Sequence, residues 1–173
     1  MKNALHLTTI LLVFTSLFSC KKTDNVLDFN IDDRNLTGCP INTTCNYSFT
    51  NNSIKNDDQF LLAKGSYKVF SFQQQNSFST TFLYFQAPMV GNKFLLNKTD
   101  ILEARVKYLF SCPACNWINL KPVDGIVKGM KVEQDVSLPE KWLIESNIIL
   151  ASEGPINIRD TVYTKQYYYP AVK

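Results

Sequence analysis

Four cysteines are the residues of this chain whose spacing could do chemistry. Cys39 and Cys45 bracket five residues, and Cys112 and Cys115 form the run Cys112-Pro113-Ala114-Cys115. Such a set can form bridges, supply a redox thiolate or hold zinc. A reactive thiolate needs a helix N-terminus or a cation to depress its pKa. The run Asn116-Trp117-Ile118-Asn119-Leu120-Lys121-Pro122 instead alternates apolar and polar residues and stops at a proline, the pattern of a strand. Zinc knuckles use spacings of roughly two to four residues between paired ligands, shorter than the five between Cys39 and Cys45. Structural bridges are therefore expected. Three pairings are open. Local pairing closes short loops worth about 2 kcal/mol each, and crossed pairing closes loops of about 70 residues worth about 4.4 kcal/mol. Local pairing is preferred, because chain length alone keeps each pair within bridging reach.

Other chemistry is thinly supplied. The single histidine, His6, sits in an apolar N-terminal stretch. If that stretch is removed, no imidazole remains for a nucleophile pair, a general base or a metal ligand. Carboxylates are the remaining acid–base groups: Glu103, Asp124, Glu133, Asp135, Glu140, Glu145 and Asp160. No two of them are singled out as the flanking pair that glycoside hydrolysis needs. Asp32-Asp33 lacks the alternating oxygen ligands of a calcium loop and reads as a solvated pair. No catalytic residue, cofactor or metal is expected. Aromatic residues make up 13% of the chain. Trp117 and Tyr167-Tyr168-Tyr169 cannot all face inward, because strand side chains alternate. Trp117, Tyr167 and Tyr169, with Asn119 and Gln166 as hydrogen-bonding neighbours, are candidate contacts to a glycan or a protein partner. Packing within the sheet competes with that reading.

The first 19 residues have the layout of an export signal: Lys2, an apolar run through Phe18, then small Ser19. The run is short of the roughly 20 residues a spanning helix needs. Leu17-Phe18-Ser19-Cys20 resembles the lipobox of bacterial lipoproteins. With Lys21-Lys22 and the Asn/Lys/Tyr/Phe-rich body, the chain resembles outer-membrane lipoproteins of Bacteroidota, a largely uncharacterised group. The resemblance implies cleavage before Cys20, diacylglycerol and acyl (palmitate-type) chains on Cys20, and attachment to the outer membrane. Which face of that membrane it occupies is left open. Asp160-Thr161-Val162 resembles the site at which such bacteria O-glycosylate exported proteins, which would place a glycan on Thr161.

About 154 residues then remain, enough for one domain with its own core. Net charge falls from +3 to about +2 with the loss of Lys2, too little to suggest nucleic acid. Residues 20–38 read as the lipidated cysteine and a tether of roughly 20–25 Å. Residues 39–173 read as a β domain with a sub-boundary near 98. Period-2 alternation marks strands at 66–72, 78–86, 93–97, 101–110, 116–121, 126–132, 142–150 and 156–169. Gln73 to Asn76 forms a hairpin tip, and Asp124-Gly125 reads as a turn. A short helix is expected at 57–64, and 136–141 reads as a loop. The expected fold is mainly β, a single antiparallel sandwich or partly open barrel. Its C-terminal half has the strand count of an OB-like barrel. The expected role is non-catalytic: binding or envelope assembly at a lipid-anchored domain. A glycan-binding module and an envelope thiol–disulfide protein are the alternatives.

Overall fold

The computed structural model describes residues 29–56, 61–115, 119–135, 137–153 and 157–172. Nine strands form one curled, mixed sheet, a half-barrel. They are β1 (Thr44–Ile54), β2 (Ala63–Lys64), β3 (Tyr67–Gln75), β4 (Thr80–Pro88), β5 (Lys93–Leu96), β6 (Val106–Ser111), β7 (Leu120–Lys131), β8 (Trp142–Ser152) and β9 (Arg159–Pro170). One short helix, α1 (Lys98–Leu102), lies between β5 and β6. The strand order is β5-β7-β8-β9-β1-β3-β4-β6, with β2 beside β1. All pairings are antiparallel except β1 with β9. The mainly β, partly open barrel expected from alternation is the fold. The last 76 residues do not close on themselves, because β6 pairs with β4 and β9 with β1.

The concave face carries the core. Cross-strand partners place Phe49 opposite Phe70, Phe70 opposite Phe85 and Phe72 opposite Leu83. Trp142 faces Tyr168 on the same side. Phe70 is the hub: its ring centroid lies 5.2 Å from Phe94, 5.4 Å from Trp142 and 5.8 Å from Tyr168. Offset and edge-on rings of this kind add to the area they bury. Phe94 lies flat over its partner Gly129, where a Cβ would come within 2.0 Å of the ring. Only glycine leaves that space, so Gly129 sets how closely β5 packs on β7.

Four local expectations change. The hairpin tip expected at Gln73 to Asn76 lies further on. Gln73 to Gln75 pair with Phe82 to Thr80 inside the ladder, and the turn is Asn76 to Ser79, where Asn76 N donates to Ser79 O at 3.0 Å. Alternation from Ile101 to Phe110 predicts one strand, but Asn97 caps α1 instead. Its side-chain oxygen accepts from Thr99 N at 2.8 Å and Asp100 N at 3.4 Å, while the Asp100 carboxylate accepts from Asn97 N at 2.9 Å. This reciprocal cap overrides the alternation, and the strand starts at Val106. Asp124-Gly125 is not a turn but lies at a bulge inside β7, where the register shifts between Pro122 and Asp124. Gly125 has φ +131°, a conformation turns and bulges both ask of glycine. Of the helix expected at 57–64, residues 57–60 lie outside the described residues, and Ala63–Lys64 forms β2.

The segment expected as a tether is partly docked. Ile31 is buried. Thr37 N donates to Lys165 O at 2.8 Å, Lys165 N donates to the Thr37 hydroxyl at 2.8 Å, and Gln166 donates to Thr37 O at 3.1 Å. A single apolar anchor and a few backbone bonds do this without any periodic pattern, so alternation could not reveal it.

Candidate functional site

The strand directions give the half-barrel two unlike ends. At one end lie the Cys39–Cys45 loop, the β3–β4 hairpin tip, the Cys112–Cys115 loop and the start of β7. At the other lie the β7–β8 connection, the β4–β5 connection and the start of the strap formed by residues 29–37.

A groove of about 1240 Å³ opens at this second end. The strap forms one wall and the β7–β8 connection the other. Its floor is apolar, with Ile31 and Leu143 buried and Met130, the cross-strand partner of Leu143, half-buried. Leu138 stands on the lip with over half its surface exposed. Five carboxylates and two lysines line the groove: Asp32, Asp33, Glu133, Asp135 and Glu140 against Lys93 and Lys131.

Three of these charges have structural work. Asp32 binds Lys165 at 2.9 Å and Arg34 at 3.1 Å, and these hydrogen bonds lower its pKa to about 2. Lys165 is nearly buried, so Asp32 holds the strap down on β9 by neutralising it. Asp32 is itself half exposed, which screens the pair. Lys93 donates to Phe29 O at 2.6 Å and covers the Phe29 ring at 5.4 Å, pinning the start of the strap beside the groove.

Glu140 reaches from the groove wall into the core. It accepts a hydrogen bond from the buried Lys68 ammonium and another from Trp142 Nε1 at 2.7 Å, with Lys131 Nζ 3.8 Å away. Burial raises the Glu140 pKa, but the Lys68 and Trp142 hydrogen bonds and the two lysine charges outweigh it, leaving the pKa below the ordinary value. The Lys68 ammonium also lies 4.6 Å from the Trp142 ring centroid and 5.0 Å from that of Phe49. An aromatic box closed by one carboxylate thus replaces the water this cation lost.

No protein-family model matches this chain, nor does any curated protein or any solved structure. The site's meaning must come from its own geometry.

That geometry divides the residues singled out from the sequence. Tyr167 lines the groove, with its hydroxyl donating to Asp33 at 3.2 Å and the Lys141 ammonium 3.7 Å from its ring centroid. Tyr169 is exposed, and Lys141 lies 5.9 Å from its ring centroid. Gln166 is spent on the strap, donating to Thr37 O and accepting from Tyr167 N. Asn119 lies by the start of β7, at the cysteine-bearing end, about 30 Å along the strands from Tyr167. The structure does not bring it together with the C-terminal tyrosines. Trp117 lies outside the described residues. Thr161 is exposed on β9, its N–H donating to Asp160 at 2.7 Å. Cys20 and the leader likewise lie outside the described residues.

The cysteines pair locally. Cys39 bonds Cys45 with Cα atoms 5.8 Å apart, and Cys112 bonds Cys115 at 5.3 Å. Cys112 is buried, opposite to what a reactive first thiol in such a run requires. The groove carboxylates Glu133 and Asp135 escaped sequence reasoning as site residues, since nothing local marks a loop as a groove wall. The strap that faces them arrives from 100 residues away.

Proposed function

We propose that this protein is a lipid-anchored envelope domain that binds a partner through the groove and catalyses no reaction. Export and lipidation rest on the leader and on Leu17-Phe18-Ser19-Cys20. Two local cysteine bridges suit an oxidising compartment such as the bacterial envelope. A chain cleaved before Cys20 carries no imidazole, which takes the commonest general base out of reach.

The observation that carries the reading is where the chain meets the groove. Phe29 is held against Lys93 beside it. From Cys20 to Phe29 the chain has nine residue steps, which reach at most about 30 Å when fully extended. A lipid on Cys20 would therefore keep the groove near the bilayer and hand it partners that lie at the membrane. Two or more acyl chains make such attachment stable, whereas one is marginal.

Mass spectrometry of the protein purified from its membranes tests this reading. The expected mature N-terminus is Cys20 carrying diacylglycerol and an acyl chain. An intact leader, or a mature terminus without lipid, would overturn it.

A further inference from the structure

Building on the binding role proposed for the groove, we propose that its occupant is a cationic stretch of a partner polypeptide, with lysine or arginine flanking apolar side chains. Three observations select that chemistry. First, the groove is larger than the roughly 300–1,000 Å³ typical of small-molecule sites, and it is an open trough rather than a closed cavity. Second, its floor is apolar along Ile31, Met130 and Leu143, and Leu138 offers an exposed apolar lip. Apolar side chains of a ligand would displace water there.

Third, the charge around that floor is one-sided in a specific way. The cations are engaged: Lys93 on Phe29 O, and Lys131 toward Glu140. By contrast, Glu133 and Asp135 have no ion-pair partner among the described residues, and Asp33 has only the Tyr167 hydroxyl. These three carboxylates face the trough from both walls, Asp33 from the strap and the other two from the β7–β8 connection. They are spread along the rim: no group of three or more acidic, Cys or His residues among the described residues is placed to hold one metal ion. Spread anionic charge over an apolar strip complements several cations along a chain, not a single ion. It also disfavours anionic lipid headgroups as the occupant, since like charges repel.

The probe is a labelled pool of nonapeptides, each with three Lys or Arg and two Leu in varied order. It is titrated against the full mature protein in non-ionic detergent and compared with the same pool carrying Glu in place of Lys and Arg. Binding of the cationic pool alone is expected, weakening as salt rises. The double variant Glu133→Lys/Asp135→Lys should weaken it about tenfold, and Leu138→Asp should weaken it as well. Glu153→Lys, the same charge reversal at the far end, should leave it unchanged. Equal binding of both pools, no binding, or binding indifferent to the groove variants would overturn the proposal. So would preferential binding to anionic vesicles over the cationic pool. Lipid found on Cys20 in the same preparation keeps failure here separate from failure of the anchored reading.

Discussion

The two ends of the half-barrel are held by different forces. At one end, two covalent bridges each close a short loop, Cys39–Cys45 and Cys112–Cys115. At the other, the ordering groups are charged: the ion pairs Lys68 with Glu140 and Lys165 with Asp32, and the Lys93 ammonium donating to the neutral Phe29 carbonyl. A bridge tolerates changes in pH and salt but fixes one geometry. An ion pair in a groove wall is sensitive to both, and its strength depends on how far water is excluded. The end built from ion pairs is the one with the trough and the exposed apolar lip, so the fold keeps its responsive chemistry where a partner would meet it.

The largest expected effect falls at the ionic end. Glu140→Gln keeps an oxygen that can accept from Trp142 and Lys68 but removes the negative charge that neutralises the buried Lys68 ammonium. Stranding a buried cation costs roughly 3 kcal/mol, even when neighbouring groups relax. Urea unfolding should show a loss of that size. Adding Lys68→Met to the same chain should recover most of it, because a neutral side chain needs no counter-ion. A loss under about 1 kcal/mol would mean that water reaches Lys68 and that the aromatic box is not dry.

Much of this division could be read from the chain and part of it could not. Period-2 patterning located β3, β4, β8 and β9, although only β8 alternates in burial, from Ile144 to Leu150. By contrast, β3 and β4 bury consecutive residues on both faces, Lys68 to Phe70 and Leu83 to Ala87. Short separation favoured local pairing of the cysteines while loop entropy favoured the crossed one, and the folded geometry decides for the local pairs. The Ile101 to Phe110 alternation misled because Ile101 is a buried residue on a capped helix, not a strand residue. The signal that would have corrected it was present three residues apart, in Asn97 and Asp100. The ionic end was hidden for a different reason. Lys68 and Glu140 are 72 positions apart, and Asp32 and Lys165 are 133 apart. Nothing local in either sequence neighbourhood says that a lysine will be buried or which carboxylate will meet it.

The second effect belongs to the covalent end. Each bridge closes so short a loop that the chain-entropy model gives about 2 kcal/mol apiece. Replacing Cys39 and Cys45 by Ser should therefore lower the urea-derived stability by about that amount, and Cys112 and Cys115 likewise. The two losses should add, since the pairs are separate bridges. Binding of the cationic peptide pool should survive both replacements, because the groove lies at the other end of the strands. Loss of that binding on removing a bridge would join the two ends into one mechanical unit and abolish the contrast between them.

The smallest effect tests how tightly the ionic end is drawn. Ala104 follows the C-terminus of α1 with φ +61°, a left-handed conformation that its Cβ resists. The position is held by what surrounds it. Ala104 N donates to Ile101 O at 3.0 Å, and the Gln86 side chain donates to Ala104 O at 3.1 Å. Arg105 N then donates to Asp100 O at 3.0 Å, and its guanidinium pairs with the Asp100 carboxylate at 2.7 Å. Glycine adopts this conformation freely, so Ala104→Gly relieves strain in the folded chain while giving the unfolded chain more freedom to lose. At positive φ the relief outweighs that added freedom, and a gain of about 0.5 kcal/mol is expected in urea unfolding. A destabilisation instead would mean that the Gln86 and Arg105 contacts hold Ala104 without strain. The helix end would then be as firmly set as the bridged loops at the far side of the sheet.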